Sequence, residues 1–216
     1  ARDGLSTALA VQLADRLNAS GRVSVVERAI LERLLEELNL GSSELADPGT
    51  ALRLGKVLAA KLIGTGSLYF MPDGTLLNMR LIDTETSAVP RVITRQMTAG
   101  ASMAGELNRL NREILQTVIE KYPLQGYIVE VDGDRVLINI GQAQGVVLGT
   151  RFEVLDPPRT IEYKGKKLKG TAKTIGRIEI VSVEQDFSYG RVIETKRALK
   201  RDDAVREKID AFLSKG

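Results

Sequence analysis

A charged pair raises the question of chemistry. Glu27 and Arg28 follow the β-branched run Val23-Ser24-Val25-Val26 and precede an amphipathic segment. The carboxyl end of a strand is where α/β enzymes often hold reactive groups. Three other clusters could also do work. Gly64-Thr65-Gly66 resembles a small phosphate loop, and Asp132, Asp134 and Asn139 offer oxygen ligands of the calcium-binding type. Arg159, Lys164, Lys166, Lys167 and Lys169 lie in the basic stretch 159–173, which suits phosphate on nucleic acid, on lipid headgroups, or the acidic patch of a partner.

The chain has no Cys, no His and no Trp. That removes zinc sites of the usual kinds, His-assisted or Cys nucleophiles, and haem ligation by His. Catalysis would rest on carboxylates, Lys, Tyr or an oxygen-bound metal. Set against this, each cluster has a plainer reading. Glu27 meets the positive end of a helix dipole, and Arg28 with Glu32 forms an i,i+4 surface pair. Gly64-Thr65-Gly66 sits inside a strand with no helix following, so its amides cannot be aimed at an anion as a phosphate loop requires. Asp132-Gly133-Asp134 is a hairpin turn and lacks the EF-hand spacing. The basic stretch, beside the single aromatic Tyr163, reads as a solvated hairpin tip and makes a poor base-stacking platform. No catalytic residue, metal or cofactor is expected; the five cations are the candidate partner contacts.

The elements that would position these residues follow from period and punctuation. Residues 4–19 repeat Leu5, Leu9, Leu13 and Leu17 at helical spacing, and Ser20-Gly21 ends the run. The short strand at Val23 to Val26 leads to a helix whose apolar face is Ile30, Leu31, Leu34, Leu35 and Leu38. Gly41-Ser42-Ser43 breaks it, and Asp47-Pro48 caps and opens a third helix. Strands are expected over 62–70, 76–82 and 89–97, joined by Met71-Pro72-Asp73-Gly74-Thr75 and by the turn at residues 83–87. A last helix runs over 103–122, with Leu107, Leu110, Ile114, Leu115 and Val118 as its buried stripe, and Pro123 stops it. The first domain, 1–122, is thus an α/β sandwich, α-β-α-α-β-β-β-α, with a mixed sheet.

After Pro123 the texture changes to short strands with turns about every eight to twelve residues: 126–131, 135–140, 151–155, 175–183 and 190–194. The second domain, 126–216, is expected to be a small all-β barrel. The piece 202–215, with Val205, Ile209, Phe212 and Leu213, suits a short helix. Charge also divides the chain, since residues 1–125 hold 14 basic and 14 acidic groups and residues 126–216 hold 17 and 14. No run of eighteen apolar residues is present, so no spanning helix is expected. The opening Ala1-Arg2-Asp3-Gly4 has neither an initiator Met nor a signal-peptide pattern, and the expectation is a processed or truncated chain.

Within 5–121, "VVER", "LGKVLAAKLIGTGS" and "NMRLIDTETSAV" resemble the CsgG-type domain, which is related in fold to the TolB amino-terminal domain and to LpoB. Two departures stand out: the strand that precedes the first helix in that family is not in this sequence, and Ser87 replaces a usual Gly. "GYIVEVDGDRVLINIGQAQGVVLGTRFEVL" is similar to the carboxyl-terminal domain of FlgT. These resemblances imply a periplasmic setting, with anchoring to the outer membrane and a lipoprotein form left open. The implied role is non-enzymatic, in flagellar or curli-type assembly or secretion, through contacts with envelope assembly proteins or further copies. Peripheral membrane association is left open too. The alternative is a nucleic-acid-binding module using the basic barrel, with nucleic acid the less favoured partner. An unpaired sheet edge is expected where the preceding strand would lie. No pore is expected, because the connections 71–75 and 98–102 are too short to cross hydrocarbon.

Overall fold

The computed structural model describes residues 2–41, 44, 47–98 and 102–209. Two units emerge: Ala1–Ala19 with Ser24–Thr117, and Ser20–Val23 with Val118–Gly216. The compositional change at Pro123 therefore lies close to the main division. The second unit also takes in a four-residue strap from upstream and the last turn of the fourth helix.

The first unit contains α1 (Arg2–Ala19), α2 (Arg28–Glu37), α3 (Pro48–Leu58), β1 (Leu62–Met71), β2 (Gly74–Asp83), β3 (Arg91–Thr98) and most of α4 (Met103–Lys121). The strand expected at Val23 to Val26 is not formed. Two local commitments compete with it: Val25 N–H donates to Asn18 Oδ1 at 2.9 Å, and Ser20–Val23 belong to the other unit. The sheet is consequently not mixed. It is antiparallel with three strands in the order β1-β2-β3.

The sheet nevertheless carries helices on both faces. Ile63 and Ile82, opposite one another in the β1–β2 register, share a buried cluster with Leu35 of α2 and with Ala51 and Leu54 of α3. Asp47 caps α3 by accepting Thr50 N–H at 2.8 Å, and this hydrogen bond holds its carboxyl below the usual range. Gly55 lets α3 close on the end of β2, because a Cβ there would stand 2.1 Å from the Thr84 Cβ. The Thr84 hydroxyl in turn donates to the Ala60 carbonyl at 2.5 Å. On the opposite face, α4 buries Leu107, Leu110, Ile114 and Leu115 as its spacing predicts, and Arg95 of β3 pairs with Glu113 of α4.

The second unit contains β4 (Gln125–Asp132), β5 (Arg135–Ile138), β6 (Arg151–Asp156), β7 (Thr160–Tyr163), β8 (Lys166–Lys169), β9 (Lys173–Val183), β10 (Ser188–Thr195) and β11 (Ala204–Lys208). Six of them close a barrel in the order β10-β5-β4-β11-β6-β9, and β7 with β8 forms a separate hairpin. Ile128, Ile138, Phe152, Val154 and Ile178 have no exposed surface and fill the interior.

The short helix expected over 202–215 is instead the closing strand, paired to both β4 and β6; Phe212 and Leu213 lie outside the described residues. Its inward positions, Val205 and Glu207, continue a period-two alternation from Asp203 just before the strand, and all three are buried. Glu207 is satisfied by the strap, since Arg22 donates to both its carboxylate oxygens at 2.8 and 3.0 Å. Arg22 also donates to the Tyr122 carbonyl, and Leu124 N–H donates to Glu207. The strap passes close to Gly145, whose φ is +99° and whose Cβ would stand 2.6 Å from the Arg22 carbonyl. Only glycine meets both conditions.

Candidate functional site

Glu27 stands at the N-cap of α2, where its carbonyl accepts the Ile30 and Leu31 amides and its side chain makes no capping bond. Arg28 and Glu32 form the expected i,i+4 pair on an exposed face. The acid that reaches the pair, Glu32, is the helical neighbour of Arg28, and the geometry is that of a strand-free joint into a helix. Asp132 and Asp134 flank Gly133, which has φ +61° in the β4–β5 turn, and Asn139 Oδ1 accepts the Tyr127 amide at 2.7 Å. Among the described residues, no group of three or more His, Cys, Asp or Glu is placed to hold a metal.

Gly64-Thr65-Gly66 lies within β1, and its glycines floor an apolar pocket. The opening, about 140 Å³, is bounded by Leu9 and Leu13 of α1, Met97 of β3 and Leu110 of α4. Its single ionisable lining group, Glu106, is engaged with Arg109 at 3.1 Å. Such a lining offers hydrophobic contact and no acid–base pair. The outer edge of β1 has no partner strand among the described residues, and the strand ends in exposed Tyr69, Phe70 and Met71. An edge strand of this kind is a template for another strand.

The five predicted cations all fall on one feature of the second unit. Beyond Asp156 and Lys173, the last paired residues of β6 and β9, the chain continues as an arm. Pro157-Pro158 leads out, and the ladder resumes with Gly170 N–H donating to the Arg159 carbonyl at 2.9 Å, then runs through β7 and β8. Lys164 and Gly165, with φ +49° and +74°, make the tip, as a two-residue hairpin with both central residues left-handed requires. The base is braced by Arg197, which donates to Asp156 at 2.9 Å and to Asp203 at 2.8 Å. Burial pushes the Asp203 carboxyl up, but Arg197 and the Lys200 amide outweigh it and hold the group below the usual range.

Register sorts the arm into two faces. Ile161 stands opposite Leu168 and Tyr163 opposite Lys166, so these four share a face. The other carries Thr160, Glu162, Lys167 and Lys169. Ile161, Tyr163 and Leu168 are 61, 60 and 51% exposed. Reading the stretch by its cations missed this apolar component. The alternation Ile161-x-Tyr163 and Lys166-x-Leu168 about Lys164-Gly165 was the available signal.

Residues 2–70 match the family described as the curli production assembly/transport component CsgG. A 99-residue stretch is 27% identical to an uncharacterized protein of Aquifex aeolicus (strain VF5), covering 45% of this chain and 20% of that protein. The chain thus spans, in that alignment, about a fifth of its relative's length. No helix among the described residues is long and apolar enough to cross a membrane. The segment that holds α1, α2, α3 and nearly all of β1 is therefore similar to CsgG, and the matched region ends before the barrel begins.

Proposed function

We propose that this protein is a non-enzymatic accessory of cell-envelope assembly or secretion that works through protein–protein contacts and does not itself form a pore. The observation that carries the reading is the outer edge of β1, which has no partner strand among the described residues and ends in exposed Tyr69, Phe70 and Met71. Main-chain pairing gives such an edge affinity, and the exposed side chains at its end give selectivity. The curli assembly and transport description of the matched family supports the periplasmic or outer-membrane setting. The FlgT-like character of the barrel belongs to the same proposal, with the barrel as a second contact module.

The connection between β1 and β2 supports a role without a channel. Met71 pairs with Gly74, so the turn holds only Pro72 and Asp73. A membrane-spanning hairpin needs two strands of about nine to eleven alternating residues beyond the sheet, and this turn supplies none. The second connection, 98–102, lies partly outside the described residues. A photo-cross-linker at Ser67 tests the contact in cells. The expected product is an adduct with an envelope protein or a second copy, lost when Tyr69→Lys is added. Dye release from vesicles by the purified full chain, or an unmodified monomer from the cross-linking, would sink the proposal.

A further inference from the structure

The arm formed by β7 and β8 carries two properties that a solvated hairpin does not need together. Its stretch 159–173 holds six basic residues and one acid, a net of +5, while the whole chain has only +3. Every residue of it is exposed. The rest of the protein is therefore net negative, and its positive field is concentrated on one protrusion. The face bearing Ile161, Tyr163 and Leu168 leaves two large aliphatic groups and a phenol ring in water beside those charges. Exposed apolar groups clustered on one face mark a contact surface.

We propose that the arm docks on the surface of an anionic lipid bilayer. Ile161, Tyr163 and Leu168 enter the headgroup–acyl boundary, Lys164 at the tip and Lys166 on the same face meet lipid phosphates, and Lys167 and Lys169 on the opposite face add to the attraction by the charged surface. The chemistry of each part fits that occupant. Tyrosine is suited to the interface, with its ring in the apolar layer and its hydroxyl in water. Lysine lays an aliphatic stem along apolar surface and keeps its ammonium among the headgroups. Basic residues close to the surface draw on the negative potential of the leaflet. Nucleic acid would use the cations but not Ile161 or Leu168, and a single aromatic gives no row of stacked bases. The braced base supports the same function. Arg197 ties Asp156, at the root, to buried Asp203 in the closing loop of the barrel, so the arm is held to the fold rather than hinged on a free linker.

The absence of tryptophan makes the test direct. Tyr163→Trp places a single Trp at the tip of the full chain. Mixed with vesicles of phosphatidylglycerol and phosphatidylcholine, its emission should shift to the blue, and lipids brominated near the headgroup should quench it. Vesicles of phosphatidylcholine alone should leave it unchanged. In vesicle sedimentation, removing one Lys should weaken binding about fivefold, so K164Q/K166Q/K167Q/K169Q should reduce it by more than a hundredfold. Ile161→Ser with Leu168→Ser, on an exposed hairpin outside the core, should also abolish the blue shift while the barrel keeps its circular dichroism. Raising the salt should weaken the first encounter. Three results would overturn the proposal: no spectral change with anionic vesicles, retention of full binding by the Ile161→Ser/Leu168→Ser variant, or tighter binding to a duplex of DNA or RNA than to the anionic vesicles at the same salt.

Discussion

The two units solve the edge problem in opposite ways. The barrel closes on itself, so none of its six strands is left with a free edge in the ring. Its buried charges are also each answered: Glu207 by Arg22, Asp203 by Arg197, and Glu153 by Arg206 and Thr174. Among the described residues the sheet of the first unit stays open, with β1 and β3 as its outer strands, and α1 covers it without burying a single described side chain. Closure makes the barrel a rigid carrier for its arm. Openness makes the sandwich a surface that another chain can complete. The difference teaches that burial and availability are traded within one polypeptide, and stability measurements can test the trade.

The largest effects should come from the closed side. Phe152 is buried among strands that cannot move apart without breaking the ring, so Phe152→Ala should cost about 3–5 kcal/mol. Glu207→Ala should cost about as much, since it leaves the Arg22 charge without its carboxylate and the Leu124 amide without its acceptor in a buried place. Denaturant unfolding followed by hydrogen exchange would locate both losses in 118–209. Leu54→Ala in the sandwich should fall in the range of about 2–5 kcal/mol. Leu13→Ala, in half-buried α1, should cost less than about 1 kcal/mol. Equal losses at positions 54 and 13 would mean that α1 is as firmly packed as α3, and the contrast would fail.

The next effect concerns close approach. Gly55→Ala pushes a methyl into Thr84, and overpacking of this kind costs about 1–3 kcal/mol. Gly4→Ala, with open space around it, is the control and should leave stability unchanged or slightly raised. A thermal melt of each variant is enough to separate them.

Acid should reach the barrel through Glu153. Burial raises its carboxyl, but hydrogen bonds from Arg206 and Thr174, with Lys208 nearby, hold it below the usual range. A group whose folded pKa is depressed contributes stability that is present above its unfolded value, near about 4, and is lost as pH falls through the folded pKa. Asp203 has the same sign. The barrel should therefore lose stability below about pH 4. Glu153→Gln should be less stable at neutral pH and show a shallower acid limb; an unchanged limb would assign the acid sensitivity to other groups.

How much of this could be read from the residues varies with what carried the pattern. The stripe of α4, the Asp47 cap and five barrel strands were legible because apolar period and capping chemistry are local. The closing strand β11 was not. Its inward positions, Val205 and Glu207, continue from Asp203 just before it, so the period-two signal is written mostly in charge and looks polar until the partners Arg197 and Arg22 are seen. Val23 to Val26 misled in the reverse direction: β-branched residues promise a strand, but these four, running from the end of the strap towards α2, have no strand to pair with among the described residues. The cations of the arm were picked out as candidate contacts, and the structure gathers them on one hairpin. Their apolar companions were overlooked because charge dominated the stretch.

The smallest effect should lie at Ser87. The turn after β2 is built by Asp83, whose carboxylate accepts the Glu85 and Thr86 amides at 3.0 and 2.8 Å. Its carbonyl accepts the Ser87 amide at 2.9 Å, and Ser87 is thereby drawn to φ +62°. A residue with a Cβ is disfavoured there by roughly 1–2 kcal/mol, which accounts for glycine in the resembled pattern. Ser87→Gly relieves that strain but enlarges the entropy of the unfolded chain by about 0.5–1 kcal/mol. The net should be a gain of no more than about 1 kcal/mol. Ser87→Val adds a branched side chain at the same φ and should lose stability instead. Paired denaturant titrations of the two variants would check the order, with no change in slope expected because the turn exposes no new surface. If Ser87→Gly loses as much as Ser87→Val, the positive φ is not what sets the turn, and the hydroxyl itself would have to be contributing.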